Sequence, residues 1–314
     1  MALPRPAARL TIDGRGLTMP EAAAVSVDVA LSLTGEHDRA VLVLGPLSPW
    51  LDATVGAVAE VELGDASNVG VLTGTVERVR HLPWGTLVDV LGPTAPLERT
   101  RVGRAYTGQT VGDIVREMIS AAGAQAGDID AGPTLGAYHV DERRSCWRHV
   151  RTLAAMFAYE LSSGAAGEVH VRPPRTGRAD HTLRAGAELL SWAVGARQLA
   201  LAPAEVGPFG AASEQGAEAW SLVHHQPGGS GEHRILPAVR DREAASAVDR
   251  AVASAHERRG AAGRVVATGQ PHVRAGDLVE LDGVDRAAAV YRVRHARHRI
   301  DGNGFRTTLD LEAA

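Results

Sequence analysis

Residues 25 to 33, Val25-Ser26-Val27-Asp28-Val29-Ala30-Leu31-Ser32-Leu33, alternate between apolar and small or polar side chains, the period of a half-buried strand. Thr34-Gly35-Glu36-His37-Asp38 breaks the pattern as a turn before Ala40-Val41-Leu42-Val43-Leu44. Val58 to Leu63 alternates again, Val69 to Val79 holds another strand with Gly74 inside it, and Pro83-Trp84-Gly85 reverses the chain into Thr86 to Leu91. Residues from about 8 to 100 thus read as five or six short strands, enough for a small barrel or sandwich.

The period changes after Tyr106. Thr110 is a helix cap, with Asp113 where a capping-box acid sits, and Val111, Ile114, Val115, Met118, Ile119 and Ala122 form one apolar stripe that Gly123 ends. Residues 123 to 137, small and glycine-rich, read as a loop. Ser145 caps a second helix running through Leu161, with Trp147, Val150, Leu153, Ala154, Phe157 and Leu161 on its buried face. From Glu168 the pattern is β but irregular, and Pro203 to Gly231 reads as an exposed excursion. A third helix is expected over Asp241 to Arg259, with Ala245, Val248, Val252 and His256 on one side. A closing β-unit begins near Arg264 and contains Gly276 to Leu281, Tyr291-Arg292-Val293 and Arg306 to Leu311.

That closing unit repeats the opening one. Val61-Glu62-Leu63 returns as Val279-Glu280-Leu281, Arg80-His81 as Arg297-His298, and Leu87-Val88-Asp89-Val90 as Thr308-Leu309-Asp310-Leu311. The three matches keep their order while the offset drifts by a few residues, as loops of unequal length would cause. The expected fold is therefore α+β, predominantly β: two related small β-barrel domains with a helical insertion between them. The expected boundaries are 1–104 for the first barrel, 105–167 for the helical insertion, 168–235 for an irregular β and loop region, and 236–314 for a helix plus the second barrel. Internal duplication implies pseudo-symmetry, which points to assembly before catalysis.

Composition narrows the classes. A chain of 314 residues accommodates two or three domains with cores of their own. Aromatics make up 4%, so those cores rest on Val, Leu, Ile and Ala. All 33 basic residues are arginine, read here as the codon bias of a G+C-rich genome. A formal net charge of −4 argues against general affinity for nucleic acid or anionic membranes. Single Cys146 excludes an internal disulfide and a cysteine-based metal cluster. Neither a signal-like apolar run after Met1 nor any stretch of the roughly 20 apolar residues a membrane helix needs is present. Folding in a cytoplasm, with no membrane partner, is the expectation.

Candidate chemistry is sparse. His224, His225 and His233 share a Gly/Pro-rich stretch with Glu232, but no His-Glu-x-x-His spacing or helix fixes them, so a solvated loop is preferred to a metal site. Gly228-Gly229-Ser230-Gly231 lacks the lysine and the strand-to-helix context of a phosphate loop, and no Gly-x-Ser-x-Gly elbow occurs. Cys146, one position past a cap, reads as a packing residue rather than a thiol of lowered pKa. Trp147, Phe157 and Tyr159 at helical spacing read as core rather than a stacking platform. Asp141-Glu142 are sequence neighbours that face apart, so no acid/base pair emerges. Arg292, Arg294, Arg297 and Arg299 form a solvated or interface face; if that face lined a central channel, it would contact a passing polyanion. No catalytic residue, metal or cofactor is expected.

Tyr106-Thr107-Gly108-Gln109-Thr110-Val111-Gly112-Asp113-Ile114-Val115 resembles the Gly-Gln-Thr-then-helix signature of the phage late control D family. These are the tail hub proteins of contractile phages, pyocin-like particles and contractile injection systems. The second element of that signature is matched by Ser145-Cys146-Trp147 continuing to Leu153-Ala154-Ala155-Met156-Phe157-Ala158-Tyr159. The third is matched by Gly276, Tyr291-Arg292-Val293, His298, Gly304-Phe305-Arg306-Thr307 and Leu309. The resemblance runs from about residue 60 to the end and implies a structural role for Gly108, Gln109, Thr110, Ile114, Ser145, Trp147, Leu153, Ala154, Phe157, Gly276, Tyr291, Val293, His298, Gly304, Phe305 and Thr307.

It also implies a non-enzymatic baseplate hub, a homotrimer whose six similar barrels join a hexameric tail tube to a trimeric central spike. Implied partners are the tail tube protein, a spike encoded separately because the chain stops at Ala314, baseplate wedge proteins, and a tape-measure protein or cargo in the channel. Such a particle is assembled in the bacterial cytoplasm. The competing classes are a carbohydrate- or receptor-binding β-protein, which needs exposed aromatics, and a cell-wall hydrolase, which needs convergent carboxylates.

Overall fold

A computed structural model describes residues 6–33, 35–64, 67–196, 208–211, 222–224, 234–236, 238–239, 242–285 and 290–314, with backbone alone at 208–211, 222–224, 234–235 and 242. The chain opens with seven strands, β1 (Ala7–Ile12), β2 (Arg15–Thr18), β3 (Ala24–Ser32), β4 (Arg39–Leu44), β5 (Val58–Gly64), β6 (Asn68–Leu82) and β7 (Gly85–Leu91). A mixed segment follows: α1 (Ala95–Arg99), β8 (Arg104–Thr110), α2 (Val111–Ala121), β9 (Gln125–Ile129), β10 (Thr134–Val140), α3 (Cys146–Met156), β11 (Glu160–Ser163) and β12 (Glu168–Arg172). Next come β13 (His181–Arg184), β14 (Leu189–Ala196), β15 (Pro208–Ala211), β16 (Leu222–His224), β17 (Arg234–Ile235) and α4 (Arg242–Arg258). The chain closes with β18 (Ala261–Thr268), β19 (Leu278–Asp282), β20 (Tyr291–Asp301) and β21 (Gly304–Ala313).

One sheet holds both ends of the chain, in the order β14-β18-β21-β20-β3-β4-β7-β6-β5-β1-β2, with β19 bridging β20 to β13. The order β14-β18-β21-β20 restates β3-β4-β7-β6, so two copies of one unit lie side by side. The duplication extends to single residues. In the first copy Arg80 faces Leu87 and His81 faces Thr86; in the second, Arg297 faces Thr308 and His298 faces Thr307. The register slips in both hairpins at matching places, between Val76 and Arg78 and between Val293 and His295. Such a slip is a bulge, which bends the strand and lets each sheet coil around its core. The inward residues Leu10, Val29, Leu42, Val61 and Val88 of the first copy and Val265, Val279, Tyr291, Ala296 and Leu309 of the second belong to one apolar cluster.

The middle of the chain builds a second core. The stripe expected on the first helix, including Ile114, Val115, Met118 and Ile119, packs with Trp147, Val150 and Leu153 of α3 and with Ala245 and Val248 of α4. Thr110 caps α2 by accepting from the Asp113 amide at 3.1 Å, and Ser145 caps α3 by accepting from Arg148 at 3.3 Å.

Two expectations are corrected here. The second helix stops at Met156 rather than Leu161. Ala158 turns into the left-handed region at φ 50°, and Leu161 donates to the carbonyl of Leu33 as part of β11. Tertiary strand pairing wins over a helical period that the sequence continued for one more turn. Residues 123 to 137 are not simply a loop, since they hold β9, parallel to β12, and β10, antiparallel to β8. Almost every β9 side chain is exposed, so no alternation marked it. The third helix falls within one residue of its expected ends. Much of Pro203–Gly231 lies outside the described residues, but β15 and β16 pair within it.

Candidate functional site

The two copies meet along β20 and β3. Six residue pairs, from His295↔Ser32 to Ile300↔Val27, form an antiparallel ladder between them. The core side of this seam is apolar: Val27, Val29, Leu31, Ala296, His298 and Ile300 are all buried. His298 is the polar exception, held between Thr307 Oγ1 and the Val273 carbonyl, both at 3.0 Å. Burial pushes its imidazole down to about 4, so it is neutral in the fold.

The opposite side of the same sheet is charged. Arg297 Nε donates to Asp28 at 2.8 Å across the seam, Arg264 to Asp310 at 2.6 Å, and Arg78 and Arg80 to Asp89 at 2.9 and 3.3 Å. Arg299 Nε lies 2.8 Å from Asp301. These arginines are about half exposed, so each pair contributes roughly 0–1 kcal/mol. Their consequence is a surface dense in guanidinium groups held upright by carboxylates.

The four arginines singled out in the sequence separate in the structure. Arg294, Arg297 and Arg299 are exposed, while Arg292 is buried. Arg292 lies on the same side of the sheet as Arg297, opposite the core residues Tyr291, Val293 and Ala296, and is buried because β11 of the middle segment packs over it. Arg292 Nη1 donates to Glu160 of β11 at 2.5 Å, and Nη2 to Glu312 of β21. Burial drives Arg292 down to about 10 and Glu160 up, each toward its neutral form and each opposed by the other.

Two more groups, half-buried Arg274 and buried Asp38, bolt the middle segment to the β-copies. Arg274 of the second copy donates to the carbonyl of Val71 in the first at 2.8 Å and to that of Ser163 in β11 at 2.9 Å. Asp38 accepts from the Ser32 amide at 2.7 Å and from the Ser163 hydroxyl. Burial pushes the Asp38 carboxyl up to about 6, against those hydrogen bonds and the nearby Arg274. Sequence reading missed Asp38, Glu160 and Arg274: one sits in a polar turn, one inside an apparent helix, and one among loop residues.

The motif residues divide between turns and core. Gly108 takes φ +62° in β8 beside exposed Gln109, and Gly276 and Gly304 take +96° and +101°. Gly112 brings α2 against the chain at 130–131, where an added Cβ would lie 2.3 Å from the Asp130 carbonyl oxygen. Ile114, Trp147, Leu153, Ala154, Phe157, Tyr291, Val293 and Thr307 are buried, Phe305 is half-buried, and Trp147 stacks 4.6 Å from the His37 ring. Ser145, besides capping, donates to Glu98 at 3.0 Å. Cys146 is buried, and desolvation raises its thiol pKa.

Among the described residues no group of three or more His, Cys, Asp and Glu is placed to hold a metal ion. His225, Glu232 and His233 lie outside the described residues, and only the backbone of His224 is described. Nor is any helix among them long and apolar enough to cross a membrane.

No family model and no curated protein matches the sequence. Solved structures do match the fold. The tail protein from Neisseria meningitidis MC58 superposes with a TM-score of 0.73 at 15% identity, covering 98% of this chain and 96% of that one. The 43 kDa tail protein of prophage MuSo2 from Shewanella oneidensis gives 0.68 at 14%, with coverage of 98% and 96%. An E. coli component of the type VI secretion system, itself similar in structure to the T4 bacteriophage tail proteins gp27 and gp5, gives 0.65 at 12%, covering 97% of this chain and 76% of that one. At these identities the likeness is one of fold: this chain has the fold of these phage tail and secretion-system proteins.

Proposed function

We propose that this chain is a structural baseplate hub of a contractile tail or injection particle. Three copies form a ring of six similar β-units that adapts a hexameric tail tube to a trimeric spike. The observation that carries the reading is the single sheet in which two sequence-related units are joined head to tail by β20 and β3. A unit that binds its own copy head to tail makes a heterologous contact, and such contacts build a ring when the rotation between copies closes. The tail-protein fold supports the same role.

In this reading the protein works by geometry and without catalysis. The tube protein stacks on one rim of the ring, the spike docks on the other, and wedge proteins grip the outer loops. The face bearing Arg294, Arg297 and Arg299 is the natural wall for a polyanionic tape-measure segment or cargo. Native mass measurement and electron microscopy of the chain, alone and with a spike protein, test the proposal. A hollow trimer with six similar lobes is expected. A compact monomer in both samples overturns the adaptor model. Arg297→Glu and Arg299→Glu leaving particle function intact would remove the channel assignment alone.

A further inference from the structure

The internal repeat does more than suggest a ring. It specifies which edges join one chain to the next. Within the chain the seam consists of the last part of β20 and β3. The counterparts of those two strands are β6 and β14, and here both counterparts are free edges among the described residues: β14 ends the sheet, and from Arg78 on β6 pairs only with β7.

The correspondence can be carried residue by residue. Val27 faces Leu42, which faces Val88; Trp192 faces Val265, which faces Leu309; and Val88 and Leu309 are equivalent in the repeat. Trp192, Val194 and Ala196 therefore stand for Val27, Val29 and Leu31. By the matched hairpins, Val79, His81 and Pro83 stand for Ala296, His298 and Ile300.

Burial separates the two sets. Every residue of the internal seam set is buried. Of their counterparts, Trp192, Ala196, His81 and Pro83 are exposed, and Val194 and Val79 are half-buried. The same positions are dry where a neighbour is present and wet where it is absent. In addition, β14 carries no charge from Leu189 to Ala196, although an unprotected edge of that length is normally blunted by charge or proline. Its Leu190 and Trp192 are 54% and 45% exposed, and Trp84, beside Pro83, is 55% exposed.

We infer that β14 of one chain pairs antiparallel with the end of β6 of a second copy. The register is Val79↔Ala196, Arg80↔Gly195, His81↔Val194 and Leu82↔Ala193. This sets Pro83 opposite Trp192 and brings Trp84 and Trp192, two exposed tryptophans on separate edges, into one neighbourhood. The contact continues the sheet from chain to chain, so hydrogen bonds satisfy both edges while apolar side chains become buried. It rests on the hub reading and adds the interface and its register.

The test uses two single variants of the full chain, Arg80→Cys and Gly195→Cys. Both sites are exposed on the charged side of the sheet, and a Cβ at Gly195 meets nothing within 4 Å. Directly opposed strand residues place their Cβ atoms about 4.5–5.5 Å apart, near disulfide reach. The intrachain counterpart, Arg297→Cys with Ala30→Cys, sets the rate that correct register gives.

Mixing the single variants under mild oxidation, with and without a spike protein, should yield a covalent dimer at a comparable rate. Arg80→Cys mixed with Ala193→Cys, two residues out of register, should yield at least tenfold less. A native trimer that forms without the Arg80/Gly195 cross-link, or that cross-links equally at Ala193, overturns the register while the hub reading stands. Absence of both trimer and cross-link overturns the two together.

Discussion

Replacing Arg292 by methionine isolates the buried charge cluster that ties the middle segment to the second β-copy. Methionine keeps the apolar stem but removes the guanidinium from Glu160 and Glu312, which are 3% and 9% exposed. Breaking one partner out of a buried ion pair costs about 3–5 kcal/mol, because the remaining charge is left desolvated. Arg294, 3.4 Å from Glu312, retains part of the balance, which favours the lower half of that range. An unfolding entropy of about 2.1 cal/mol/K per residue over 314 residues converts the full range to a Tm lower by about 5–8 °C.

The sign with pH is fixed. Glu160 already has its folded carboxyl raised above the usual 4.5 by burial, so its stabilising protonated form is lost as pH rises through that higher value. Without Arg292 the rise is larger, so the deficit is greatest near pH 8 and shrinks toward about pH 5. Thermal unfolding followed by circular dichroism across that range measures it. The triple variant Arg292→Met, Glu160→Leu, Glu312→Leu should return to within about 1 kcal/mol of the parent, since apolar replacement of a whole cluster is often neutral. An Arg292→Met Tm equal to the parent's near pH 8, or a deficit that grows on acidification, would refute the reasoning.

Two other buried groups predict opposing pH limbs. Asp38, raised to about 6, contributes stability that is lost as pH climbs from 3.8 through 6, so Asp38→Asn should flatten that limb of a Tm–pH profile. His298, lowered to about 4, is stabilising above 6.5 and loses that contribution as pH falls toward 4; His298→Gln should lower Tm at neutral pH but abolish this acid slope. Gly112→Ala should destabilise, although alanine is favoured over glycine in helices by about 1 kcal/mol, because the new methyl meets the Asp130 carbonyl; urea unfolding decides the sign. Thr110→Ala, which removes the α2 cap, should cost about 1 kcal/mol in the same assay, and Ser145→Ala more, since Ser145 also holds Glu98.

The helices were legible where caps and stripes agreed. Thr110 and Asp113 marked the start of α2, the Ile114–Ile119 stripe its buried side, and Ser145 the start of α3, because these signals act within one or two turns. The end of α3 was not legible. Tyr159-Glu160-Leu161 carries a helical spacing, and what makes it a strand is pairing with β12 and a hydrogen bond to Leu33, far away in sequence. The exposed strand β9 was hidden for the complementary reason, since a strand without a buried face leaves no alternation. Of the arginine run, Arg297 and Arg299 read as an outward face, but Arg292 on that same face is buried by the middle segment, which sets Glu160 against it.

By itself the sequence determined the two β-units, their kinship and the helices between them. Periodicity, caps and repeated short motifs are local properties that a chain displays whether or not it is folded. Only the tertiary structure decided that the copies share one sheet through β20 and β3, that Asp38, Arg274 and Arg292 staple the middle segment to it, and that β6 and β14 are left as matching open edges among the described residues. Those facts depend on which distant strands compete successfully for one another's backbone hydrogen bonds and on which charges lose their water when they do. Neither outcome is encoded at any single position.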